Sequence, residues 1–133
     1  MSDVEGSALE GDQERRFTVD EANARLPDLR EALARMREAR QVILRSAERV
    51  QAAVARNGGG REGKEYSDAM SLLRDEVERI SKDGIILRDV ETGLVDFPSE
   101  RDGRLVYLCW RLGEEQVAFW HDVDTGFPGR RSL

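Results

Sequence analysis

At Gly84 the apolar residues change their spacing from three-four to two, and that switch divides the chain into a helical part and a sheet part. Side chains three and four apart share one face of a helix, whereas alternate side chains share one face of a strand. Upstream, Leu29, Leu33, Met36, Ile43, Ala47, Val50 and Val54 form one stripe of a long helix ending near Arg56, widened in its middle by Val42 and Leu44. Tyr66, Ala69, Met70, Leu73, Val77 and Ile80 mark a second helix. Downstream, residues 85–89, 94–97, 105–112 and 117–121 read as strands, separated by turn residues that include Gly93, Asp102-Gly103 and Gly113. The predicted fold class is α+β: a long antiparallel helical hairpin over residues 18–83, packed on a small antiparallel β-meander over residues 84–133.

The ends of these elements carry their own signals. Thr18 and Glu21 have capping-box spacing, with Phe17 placed as a hydrophobic staple onto Ala22. Pro27 disfavours helical geometry at Leu26, which predicts a short helix from Val19 to about Arg25, a bend, and a long helix with Pro27 in its first turn. Four glycines between Asn57 and Gly63 predict a loop there. Gly58 to Lys64 also fits the G-x-x-x-x-G-K spacing of a phosphate loop, but Glu65 stands where Ser or Thr would hold magnesium and a helix precedes it instead of a strand. Gly84 suits a left-handed helix stop, with Ile85 lying over Ile80. Pro98 cannot donate to a ladder, so its strand should end there. In the third strand, Val106, Leu108, Trp110 and Leu112 alternate with Leu105, Tyr107, Cys109 and Arg111, and mostly apolar residues on both faces predict a central strand covered twice.

A length of 133 residues suits one domain, and the single cysteine excludes an internal disulfide. No apolar run is long enough for a membrane span or signal peptide, so a cytoplasmic protein that does not engage the membrane is expected. The first fourteen residues hold five acids and no Lys or Arg, which predicts a disordered acidic tail over residues 1–14 and one folded domain over residues 15–133. From Arg25 to Arg56 eight arginines face four acids, and from Lys64 to Asp83 the sign reverses, so the two helices should pair across the hairpin. The two broad helical surfaces, with Val42 and Leu44 on one, suggest a homodimer.

The runs Gly93-Leu94-Val95-Asp96-Phe97-Pro98, Val106-Tyr107-Leu108-Cys109-Trp110-Arg111-Leu112-Gly113-Glu114 and Phe119-Trp120-His121-Asp122, with Gly126-Phe127 and Gly129-Arg130, resemble the bacterial domain-of-unknown-function family 2203. Phe17 to Asn23 and Leu26-Pro27 resemble its amino-terminal opening. The likeness runs from about Phe17 to the end. It implies no particular reaction, because the family has no established activity.

The only cysteine and the only histidine lie on strands that pair through the Gly113 turn. A turn of two or three residues puts His121 opposite a position between Val106 and Leu108, with Cys109 at best a diagonal neighbour on one face, and a one-residue change in turn length sends the two to opposite faces. His121 and Asp122 form a candidate metal pair, with Asp96 and Glu114 within possible reach along the same sheet. Tyr107, Trp110, Phe119 and Trp120 suggest a stacking platform, but six arginines and no lysine against nine acids from Gly84 onward is the wrong balance for nucleic acid. Arg111, Arg130 and Arg131 suit a clamp on a small anionic ligand. The candidate ligand-binding residues are therefore Asp96, Cys109, Trp110, Arg111, Glu114, Trp120, His121, Asp122 and Arg130, and the ligand classes are a small anion or a divalent metal. A non-enzymatic binding or regulatory module is expected, with a site around the C-terminal sheet. The competing class is a metal-dependent or cysteine-assisted enzyme centred on Cys109, His121 and Asp122.

Overall fold

The computed structural model describes residues 15–57 and 61–133. The acidic segment 1–14 and the glycines at 58–60 lie outside the described residues, as do the side chains of Val50 and Val54 on the predicted stripe. Among the described residues three helices, α1 (Val19–Ala24), α2 (Leu26–Asn57) and α3 (Arg61–Lys82), precede five strands. These are β1 (Ile86–Asp89), β2 (Leu94–Arg101), β3 (Arg104–Arg111), β4 (Phe119–Asp122) and β5 (Arg131–Ser132), in one antiparallel sheet of order β1-β2-β3-β4-β5. The fold is α+β, a helical pair packed on a meander.

The capping box forms as its spacing demands: the Glu21 amide donates to Thr18 Oγ1 at 3.0 Å, and the Thr18 amide donates to Glu21 Oε1 at 2.9 Å. Phe17 reaches past Ala22 to the sheet, where its ring meets Phe97 edge-on at 5.2 Å. On α2 the buried line runs Leu26, Leu29, Ala32, Leu33, Met36, Ala39 and Ser46, while Ala47 is exposed. The predicted stripe jumped from Met36 to Ile43 over Arg40; the small Ala39 and Ser46 carry the seam instead, and they line the groove facing Ala69 of α3. Opposite charges do meet across the hairpin, Arg35 with Glu76 at 2.8 Å and Arg79 with Asp28 at 2.8 Å. Burial pushes the Glu76 carboxyl up, but hydrogen bonds from Arg35 and Arg79 outweigh it and hold the group below the usual carboxylate range. Arg61 to Gly63, predicted as loop, form the first turn of α3. A glycine at a helix end forfeits less than one in the interior, because the first amides have no intrahelical partner to lose.

α3 stops as expected. Gly84 has φ of 88°, its amide bonds the Ser81 carbonyl, and the Ile85 amide bonds the Ile80 carbonyl, with both isoleucines in the core. Because the Ile85 amide is used there, β1 begins at Ile86. Similarly, Val117 gives its amide to Asn23 Oδ1 at 2.8 Å, so β4 begins at Phe119 and its approach is tied to α1. The inner face of the sheet, Val95, Phe97, Val106, Leu108, Trp110 and Trp120, is buried in the same cluster as Leu29, Leu33 and Met36.

Pro98 does not end its strand: β2 continues to Arg101, with Pro98 opposite Tyr107. Its carbonyl accepts from the Phe17 amide at 2.7 Å, so the backbone groups of Pro98 point away from β3. In an antiparallel pair the amide and carbonyl of one residue point the same way, and the donor that proline lacks would have pointed outward too. β1 pairs only with Leu94 to Asp96, and among the described residues no other strand pairs with that stretch of edge.

Candidate functional site

The Asp102-Gly103 turn has positive φ at both residues, 54° and 78°, as a two-residue hairpin requires. It fixes Arg101 opposite Arg104, and from there Asp96 opposite Cys109. Across β3, Tyr107 pairs with His121 and Cys109 with Phe119, which makes Cys109 and His121 diagonal neighbours on one face. Strand alternation therefore brings Asp96, Cys109 and His121 together on the outer face, opposite the helices. All three are buried, at 2%, 0% and 2% exposure, and their ligand-type atoms lie within 4.8 Å of one another.

Each of these groups is held by a partner. His121 Nε2 lies 3.1 Å from both carboxylate oxygens of Asp96, and Nδ1 lies 2.7 Å from the Asp122 backbone carbonyl. A carbonyl can only accept, so Nδ1 carries a hydrogen. Nε2 then faces the Asp96 carboxylate, a second acceptor. Arg88 Nε donates to Asp96 Oδ2 at 2.8 Å and its guanidinium lies 5.3 Å from the Tyr107 ring centroid. The β1–β2 register shifts between Leu87 and Asp89, and the extra residue is Arg88, which this bulge turns toward Asp96.

Cys109 receives a long contact of 3.7 Å from Arg130 Nη1. Burial, and the Asp96 carboxylate after it, push the thiol pKa up to about 11 in spite of Arg130. Cys109 is therefore a neutral thiol at physiological pH, unlike the thiolate that a nucleophile needs. Arg130 also bonds the Glu114 carboxylate, and its guanidinium lies over Phe119 at 3.9 Å and Phe127 at 4.5 Å. This stack fixes the Phe127–Gly129 turn against the sheet. Gly129 permits the turn to close, since a Cβ there would fall 2.5 Å from Thr125.

The loop from Val123 to Phe127 arches beside the pair and walls a cleft of about 390 Å³, whose floor is Asp96 and His121 and whose side includes Arg88. Among the candidates from the sequence, Asp96, Cys109 and His121 form the cluster, and Arg130 and Glu114 hold its edge. Trp110 and Trp120 face the opposite way into the core, Trp110 Nε1 donating to the Glu114 carbonyl at 3.0 Å. Arg111 is exposed, and its backbone amide bonds Glu114 Oε1 at 2.9 Å. Asp122 follows His121 in the strand and so points to the other face, where Arg104 at 2.7 Å and Arg131 at 3.8 Å take its carboxylate. The pair His121 and Asp122 thus meets only through the Asp122 backbone. Arg111 and Arg130 both lie over the Phe127 ring, at 5.2 Å and 4.5 Å, but Arg130 is paired with Glu114, and Arg131 is paired with Asp122. Arg88 was missed by the sequence reading, and only a bulge could have pointed to it.

Among the described residues no helix is long and apolar enough to cross a membrane. No curated protein and no solved structure matches the chain. The model of a family described as an uncharacterized conserved protein (DUF2203) matches residues 15–133, and the chain belongs to that family.

Proposed function

We propose that this protein is a non-catalytic binding module whose site is the cleft over the outer face of the sheet. The observation that carries this reading is the Asp96 and His121 pair, buried to 2% exposure yet forming the floor of a cleft beside Arg88. Burying a carboxylate and an imidazole together is expensive and contributes little net stability, so their place at the base of a cleft fits a role in recognition better than a role in holding the fold. The neutral Cys109 thiol weighs against a cysteine-assisted enzyme. A screen of small polar fragments against isotope-labelled protein tests the reading. Amide shifts should cluster at Arg88, Asp96, His121 and residues 123–127. Shifts confined to the groove between α2 and α3 would reject it.

The module works as a homodimer formed through its helical hairpin, in a compartment that is cytoplasmic. Leu44, 57% exposed on α2, supports the self-association. Leu44→Glu should lower the mass measured by light scattering while leaving the melting temperature within about 2 °C, since the side chain is outside the core. A wild-type chain that is monomeric at high concentration would remove the dimer.

A further inference from the structure

We infer that the ligand of this cleft is a divalent cation of the zinc class, held by a carboxylate oxygen of Asp96, Sγ of Cys109 and Nε2 of His121. The inference rests on the binding-module reading and names its ligand.

Three features support it. First, the donor set matches the ion. A thiolate, an imidazole and a carboxylate suit zinc, whereas magnesium and calcium take oxygen ligands. Zinc bonds are about 2.0–2.3 Å long, which puts tetrahedral ligand atoms roughly 3.3–3.7 Å apart. His121 Nε2 and the Asp96 oxygens are already 3.1 Å apart, and all three ligand atoms fall within 4.8 Å, so small side-chain adjustments suffice.

Second, every ligand has the outer partner that metal ligands need. The Asp122 carbonyl holds the hydrogen on Nδ1 of His121 and leaves Nε2 free to coordinate. Arg88 takes one oxygen of Asp96, leaving the other, and Arg130 lies against Sγ. Nε2 and the Asp96 carboxylate face one another at 3.1 Å, as two ligands of one ion do.

Third, three protein ligands leave a fourth position, and the cleft lies over Asp96 and His121. Such a site is open in the manner of zinc centres that carry a water or an exchangeable ligand. On binding, the thiol proton passes to solvent, and the thiolate and the Asp96 carboxylate, two anionic ligands, balance the charge of the ion.

The test uses the full chain, stripped with a chelator and titrated separately with zinc and cobalt(II). One equivalent of zinc should bind, and the cobalt(II) form should show sulfur-to-metal charge-transfer absorption, which reports thiolate ligation in the wild-type chain without any variant. Cys109→Ser should lose that band, and Asp96→Asn and His121→Gln should each weaken zinc binding at least about tenfold, the lower end of what removing even an outer-shell partner does. A folded wild-type chain that binds no zinc, or a cobalt(II) form without the sulfur band, overturns the inference. So does loss of zinc in Asp122→Asn with retention in Cys109→Ser. If polar fragments still occupy the cleft of a chain that refuses zinc, the metal assignment alone fails; if neither binds, the binding-module reading fails with it.

Discussion

Along β3, Val106, Leu108 and Trp110 turn into the helices, while Tyr107 and Cys109 between them turn the other way. The inner face is one apolar cluster, stabilised by area: burying each large side chain contributes roughly 1.5–3 kcal/mol. The outer face is buried almost as well at its centre, but by polar pairs: Arg88 on Asp96, Asp96 on His121, Arg130 on Glu114. The same strands thus present two surfaces with opposite rules. Inside, any good packing serves, whereas outside each group depends on a named partner.

The largest expected effect lies inside. Trp110→Ala should lower stability by about 3–5 kcal/mol in urea melts, because a large aromatic leaves a cavity that strands and helices cannot fill. A loss under about 1 kcal/mol would show that the inner face is not what holds the sheet to the helices. Outside, Asp96→Leu should cost about 3 kcal/mol, since His121 and Arg88 lose their common acceptor. The double variant Asp96→Leu with His121→Leu should recover to within about 1.5 kcal/mol of wild type, because the buried ring is gone and Arg88, the one partner left, is exposed enough to turn to water. Additive losses in this cycle would mean that the pair is not coupled and that the two faces follow the same rules. Cys109→Ala should have the smallest effect, about 1 kcal/mol for one small buried group. The native thiol should also resist maleimide until the chain opens; labelling as fast as in denaturant would place Cys109 at the surface.

Much of this architecture could be read from local chemistry. The capping box at Thr18 and Glu21 and the stop at Gly84 each depend on residues within one helical turn, and both form as read. Alternation allowed Cys109 and His121 to be diagonal neighbours for one turn length and put them on opposite faces for a turn one residue different; the β3–β4 register decides for the diagonal. Asp96 was also within reach, because the Asp102-Gly103 turn sets the register that puts it opposite Cys109. Other features depend on distant partners. Pro98 stays within β2 because the Phe17 amide, far away in sequence, approaches its edge. Arg88 reaches Asp96 through a bulge that no residue type announces. Trp110 and Trp120 were placed near the site by sequence proximity, and alternation sends them to the core.

The stretch of β2 beyond β1, whose outer edge no other strand among the described residues pairs with, has a consequence for how copies of this chain meet. A bare strand edge offers amides and carbonyls to any other extended chain, and growth by strand addition is a common route to insoluble protein. Here Pro98 presents no donor, its carbonyl is taken by Phe17, and the Ser99 hydroxyl holds the Phe17 carbonyl at 2.6 Å. The segment entering the first helix therefore acts as a guard on that edge, anchored by the Phe17 ring on Phe97; Phe17→Gly, which loosens that anchor, should raise the light scattered by the chain on heating, and unchanged scattering would remove the guard.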